Sequence, residues 1–203
     1  IQHYSMLNCA VNPQACREKD NGLTPILKKK KVLIVGGGVA GCEAARVLAL
    51  RGHEPVLYEK NDKLGGNLIP GGAPDFKEDD IALANWYAHT LGELNVEVHL
   101  NSELTKEEIL KYDADSVIIA TGSTPKVFSL GDDDKVFTAA DVLLGNKDAG
   151  NTTVVVGGGL VGCELALDLA KKGKKVTIVE ALHKILALNG PLCSANSEDR
   201  KST

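Results

Sequence analysis

A gapless internal repeat constrains this chain more than any other feature. Residues 31–59 align with residues 152–180 at a constant offset of 121, and twelve of the 29 positions are identical. In the first copy the shared positions are Val35, Gly36, Gly37, Gly38, Gly41, Cys42, Glu43, Ala45, Leu48, Ala49, Gly52 and Glu59. Each copy reads as a short apolar run, a glycine cluster, a helix-period segment closed by glycine, a second apolar run and an acid. That order predicts a strand–turn–helix–strand unit whose two strands run parallel. The expected fold class is α/β: a Rossmann-like domain followed by the start of a second Rossmann-like domain.

The glycine spacing carries the chemistry. Gly36, Gly38 and Gly41, and again Gly157, Gly159 and Gly162, have the Gly-x-Gly-x-x-Gly pattern. The first glycine permits a tight strand-to-helix turn, the second lets a pyrophosphate approach the backbone, and the third lets helix and strand pack closely. Val39 and Ala40, and Leu160 and Val161, fill the remaining positions of the helix start, where free backbone N–H groups and the helix dipole favour phosphate. The acids Glu59 and Glu180 end the second strands, where a carboxylate can accept hydrogen bonds from both ribose hydroxyls, and Lys60 follows the first of them. A lone glycine fingerprint is weak, because glycine turns serve purely structural ends. Strand, glycines, helix, strand and acid in order, twice, is a strong signal for two nucleotide sites.

Composition excludes several other classes. With 43% hydrophobic and 25% charged residues the chain reads as globular, and a net charge of -4 gives no reason to expect a nucleic-acid partner. Glycines, Glu43 and Arg46 interrupt the longest apolar run, residues 32–50, so no membrane span is expected. Five cysteines at irregular spacing do not make a disulfide framework, and a reducing cytoplasm is the expected setting. Ile1 at the start reads as a cut, and the second unit reads as unfinished, so the chain is expected to be a fragment.

Turn signals and periodicity divide the chain. Residues 1–24 read as a connector and residues 127–150 as a linker; 25–126 and 151–203 are expected to hold the two domains. Helices are expected near 39–50, 78–93, 139–144 and 160–172, with strands at 32–35, 55–58, 96–100, 116–120, 153–156 and 176–179. The run Lys28 to Lys31 reads as a solvated strand edge.

The two units in this order resemble the flavoproteins with two dinucleotide domains, the group of thioredoxin and glutathione reductases. The resemblance implies FAD at the first copy and NAD(P)H at the second. Lys63-Leu64-Gly65-Gly66-Asn67 resembles that group's second glycine loop near the flavin pyrophosphate, and Ala120-Thr121-Gly122 resembles the segment where its chain leaves the FAD domain. Leu104 is the position that would offer backbone to the adenine. A carboxylate at Glu180 favours NADH over NADPH, while His183 and Lys184 nearby leave NADPH open. Cys42 and Cys163 read as small packing residues beside the third glycines. The paired cysteines of the disulfide reductases are missing, so electrons are not expected to reach a dithiol on this chain.

Upstream, Cys9-Ala10-Val11-Asn12-Pro13 resembles the junction in the 2,4-dienoyl-CoA reductase and 2-enoate reductase family, relatives of old yellow enzyme. That resemblance implies Cys9 as one ligand of a 4Fe–4S cluster, and an FMN-bearing TIM barrel elsewhere in the intact polypeptide. It implies electron flow from NADH to FAD, then through cluster and FMN to an activated carbon–carbon double bond of a small-molecule substrate. An oligomer is possible. Two alternatives stay open: an electron-input subunit like the small subunit of glutamate synthase, and a nucleotide-binding module without turnover.

Overall fold

The computed structural model describes Cys9, residues 14–126, Gly131 and residues 133–186. The Val11-Asn12-Pro13 segment lies outside them, as do Cys193 and the Asn189-Gly190-Pro191 stretch, whose residues predict a turn. The chain divides into two compact units, residues 1–69 with 79–124, and residues 70–78 with 125–203.

As far as Ile119 the elements follow the order β1 (Lys31–Val35), α1 (Val39–Arg51), β2 (Glu54–Tyr58), α2 (Leu68–Gly71), α3 (Glu78–Glu93), β3 (Glu97–His99), α4 (Lys106–Lys111) and β4 (Ser116–Ile119). All lie in the first unit, except that α2 runs across its limit at residue 69 and α3 starts one residue before 79. The strands form one sheet in the order β3-β2-β1-β4, every pairing parallel. Strand period then sends alternate residues to opposite faces. Val32, Ile34 and Leu57 point to the face covered by α1 and α3, where they pack with Cys42, Ala45, Tyr87 and Leu91. Leu33 and Val56, which alternate with them, are also buried, at 0% and 3% exposure. Burial on both faces is what a near-continuous β-branched run in a parallel sheet requires. On that second face Tyr112, just after α4, meets Tyr58 edge-on at 5.8 Å and lies under the Lys31 ammonium at 5.2 Å.

The second unit contains α5 (Ala139–Leu143), β5 (Thr152–Val156), α6 (Leu160–Lys171) and β6 (Lys175–Val179). Its sheet, among the described residues, is the parallel pair β5-β6. Val155, Leu165, Ala166 and Leu169 form its core, with Ala139, Val142 and Leu143 of α5 packed against them. Residues 139–149, which the sequence suggests as part of a linker, therefore belong to the body of this unit. The helix itself is expected from the sequence; what five residues do not announce is the partner to which three of them, Ala139, Val142 and Leu143, turn.

The expected helices and strands are present to within a residue or two at their ends. Two helices escape sequence reading. α2 is a single turn, and α4 is six residues long. The N-terminus of α4 is nevertheless written in the sequence as Thr105-x-x-Glu108: the Glu108 backbone N–H donates to the Thr105 hydroxyl at 3.3 Å, and the Thr105 backbone N–H donates to the Glu108 carboxylate at 2.7 Å.

Candidate dinucleotide-binding sites

Both sites are built where a strand turns into a helix. Gly36 and Gly157 each sit at φ +108, in the region that favours glycine. A side chain on Gly41 would collide with the carbonyl oxygen of Gly36, and one on Gly162 with that of Gly157. The first and third glycines of each motif are therefore required by the turn itself. At the second, a Cβ on Gly38 would come no nearer than 4.0 Å to Gly66, and one on Gly159 would meet nothing within 4 Å. The space over Gly38 and Gly159 is what a pyrophosphate needs.

The helix starts differ in a telling way. α1 and α6 are N-capped by Gly38 and Gly159 with no side-chain cap and no acid in the first turn. α4 and α5 are closed by the hydroxyls of Thr105 and Thr138. Val39 and Ala40, and Leu160 and Val161, are exposed at the uncapped starts. Free N–H groups and the positive helix end are thus presented at the two sites where the glycines leave room, which suits a phosphate anion.

The acids close the loops. The Gly37 N–H donates to Glu59 Oε2 at 2.6 Å, and the Gly158 N–H donates to Glu180 Oε2 at 2.6 Å. Glu59 is 5% exposed and its Oε1 also accepts from the backbone and side-chain amides of Asn61, at 2.8 and 2.7 Å. Glu180 Oε1 accepts from the Leu182 N–H at 2.8 Å, and the Leu182 and Gly158 N–H groups hold its carboxyl below the usual carboxylate range. Gly37 and Gly158 were hidden in sequence under the variable position of the fingerprint. Their identity in both copies was the available signal.

In the first unit Gly65 and Gly66 join the site. The Gly65 N–H donates to the Gly37 carbonyl at 2.8 Å, Gly38 bridges to Gly65, and a Cβ on Gly66 would sit 2.9 Å from Gly38 Cα. Asn67 follows, exposed, and Lys60 is exposed beside Glu59. Ala120 lies against the first turn: its N–H donates to the Val35 carbonyl at 2.8 Å, and a side chain on Gly36 would strike its carbonyl oxygen. Thr121 and Gly122 (φ +71) then carry the chain away. Leu104 is half-buried directly before the Thr105 cap, and the stretch ahead of it runs beside Glu59, whose carbonyl accepts from the Ser102 N–H at 2.9 Å.

The structure extends the repeat past Glu180. The Leu186 N–H donates to the Gly158 carbonyl at 2.7 Å, the same bond that Gly65 makes to Gly37, and Leu186 stands at the same offset of 121. Ile185 approaches Gly158 as Leu64 approaches Gly37. Leucine in place of glycine hid this, although Leu186 also takes a positive φ of 52. The Gly157–Gly162 loop opens on a cleft of about 1070 Å³ that continues along β5 past Val154 and Val156 to Val142 and Phe137. The cleft runs along the side of β5 that has no strand partner among the described residues.

Neither helix cysteine is placed for redox work. The Cys42 thiol donates to the Gly37 carbonyl at 3.2 Å, and burial pushes it up to about 12; Cys163 repeats the contact with Gly158 at 3.4 Å. Cys9 and Cys16 are exposed and unpaired with each other, and no group of three or more His, Cys, Asp and Glu could hold a metal ion among the described residues. Each glycine loop, with its uncapped helix start and strand-end acid, offers donors and an acceptor of the kind that a dinucleotide takes. Among the described residues no set of four ligands for an iron–sulfur cluster is brought together. No helix among the described residues is long and apolar enough to cross a membrane.

Two glycine loops on parallel strands, each with an uncapped helix and a strand-end acid, define an α/β protein with two Rossmann-like dinucleotide-binding units. The family model described as pyridine nucleotide-disulphide oxidoreductase matches residues 30–200, and the chain belongs to that family. It is 53% identical to cinnamate reductase of Clostridium sporogenes over 98% of its length, and 44% identical to NADH oxidase of Thermoanaerobacter brockii over 88%. It spans 30% and 29% of those two relatives. Among solved structures, a 2-naphthoyl-CoA reductase complex superposes with a TM-score of 0.86 at 31% identity, over 98% of this chain and 31% of that one.

Proposed function

We propose that the first unit binds FAD and the second binds NADH, as the nicotinamide-to-flavin portion of a longer C=C reductase of the enoate or acyl-CoA type. The observation that carries this is the ordered pair of complete glycine–acid frames in a chain 53% identical to cinnamate reductase over nearly its whole length. When bound, the cofactors supply the redox chemistry, hydride leaving the nicotinamide and arriving at the flavin. The chain supplies placement. Val39, Ala40 and Gly41 present N–H groups to the FAD pyrophosphate, with Gly65, Gly66 and Asn67 on its other side. Glu59 and Lys60 face the ribose, the backbone of Leu104 the adenine, and Ala120, Thr121 and Gly122 close the flavin end. Leu160, Val161 and Gly162 serve the NADH pyrophosphate, and the Glu180 carboxylate accepts from its ribose while repelling a 2′-phosphate; NADPH is the weaker ligand.

For the longer protein we propose a 4Fe–4S cluster with Cys9 as one ligand, an FMN-bearing barrel and an activated alkene as substrate. The proposed domain limits are 25–126 for FAD and, with α5 packed on its core, 139–203 for NAD(P), rather than the 151–203 expected from sequence. The test is an anaerobic NADH titration of protein reconstituted with FAD. Bleaching of the flavin band near neutral pH, with NADH more effective than NADPH, is the expected result. FAD binding without bleaching would leave a nucleotide-binding module. Bleaching accompanied by transfer to a separate catalytic protein would favour an electron-input subunit.

A further inference from the structure

The two sites share a frame but differ at one donor. Gly37 and Gly158 both donate to their acid at 2.6 Å, and Gly65 and Leu186 both donate to the glycine loop, at 2.8 and 2.7 Å. The residue two beyond the acid donates its backbone N–H at 2.8 Å in both copies. What is not shared is the side chain there. Asn61 adds an amide donor to Glu59 Oε1 at 2.7 Å, whereas its counterpart Leu182 has no polar side-chain atom. The assignment of that amide nitrogen is forced, because an ionised carboxylate can only accept.

We infer that Asn61 is a positioning residue that makes the first site the resident-cofactor site, while Leu182 leaves the second exchangeable. Glu59 is held by three donors and 5% exposed, so a ribose meets an acceptor already fixed in place and loses little freedom of its partner on binding. Glu180 is tied by backbone N–H groups alone, those of Gly158, Leu182 and Ala181, with no side-chain donor, and it is more exposed. A dinucleotide that must leave in every turnover is better served by that looser carboxylate. This rests on FAD occupying the first site.

The test is a pair of exchanged variants, Asn61→Leu and Leu182→Asn, with Asn61→Ser keeping a side-chain donor. The readouts are FAD and NADH dissociation constants, Gly37 amide hydrogen exchange without cofactor, and Trp86 fluorescence as a check on the fold. Asn61→Leu is expected to weaken FAD about tenfold, consistent with the loss of one charged hydrogen bond. NADH binding stays unchanged, Gly37 exchange accelerates, and Asn61→Ser recovers part of both effects. Leu182→Asn tightens NADH. Unchanged FAD affinity or unchanged Gly37 exchange in Asn61→Leu overturns the inference, as does a FAD loss that only follows unfolding. A parent protein that binds no FAD refutes the FAD assignment instead, and Gly37 exchange still decides whether Asn61 fixes Glu59.

Discussion

The same repeated segment is a two-sided core strand in one unit and an edge strand in the other. β1 pairs with β2 on one side and β4 on the other, while β5, among the described residues, pairs with β6 alone. The counterparts of Leu33 (0% exposed) and Val35 (7%) are Val154 (60%) and Val156 (57%). Sequence similarity is not the cause of the contrast, since all four residues are apolar. In the first unit, chain following the repeat returns to flank and cover β1, through β4 and the Tyr112 segment. Within residues 152–186 nothing plays that part. The lesson is that the glycine–acid frame is local and survives without its neighbours, whereas strand burial is borrowed from distant chain.

The first way to break this comparison is at the leading glycines. Gly36→Ala meets both a positive φ and the Ala120 carbonyl, and is expected to cost about 3–5 kcal/mol, at the severe end for single substitutions. Gly157→Ala meets the same φ but nothing within 4 Å, so only the strain of about 1–2 kcal/mol remains. Denaturant unfolding read by Trp86 in the first unit, and by α6 amide exchange in the second, separates the two. Equal losses would mean that β4 contributes nothing to the turn.

A smaller effect belongs to the strand interiors. Leu33→Ala empties a fully buried position and is expected to cost about 2–5 kcal/mol, while Val154→Ala should stay within about 0.5 kcal/mol. The same two probes measure both. A large loss from Val154→Ala would show that β5 is covered in solution.

The smallest effect is a pH response at Glu180. Hydrogen bonds from Leu182 and Gly158 lower its carboxyl from an ordinary value of 4.5, so the folded form holds the proton less tightly than the unfolded one. Its contribution is fully present above about pH 4.5 and is lost as pH falls through the lower folded value. The Gly158 amide shift, followed by NMR, should be flat between pH 5 and 8 and move only at more acid pH. Movement near neutrality would place the Gly158 bond on another group.

Much of this could be read without coordinates. The glycine spacing, the strand-end acids and the helix bounds are local: they depend on backbone sterics and side-chain period within some thirty residues. The repeat therefore exposed both nucleotide frames, including their order. Its continuation to Leu186 stayed hidden because leucine there adopts a conformation for which glycine is the usual marker. Gly37 and Gly158 are visible as repeated letters, yet their bonds to Glu59 and Glu180 are not, because any residue's backbone N–H could make them and the spacing does not mark which one does.

The sequence by itself determined that two parallel strand–helix–strand units form and that each presents a phosphate-sized gap at a helix start. Only the tertiary structure decided which strands are buried and that α5 belongs to the second core. Those outcomes depend on which side chains distant segments bring within hydrogen-bond or van der Waals reach, and no short-range pattern encodes that distance.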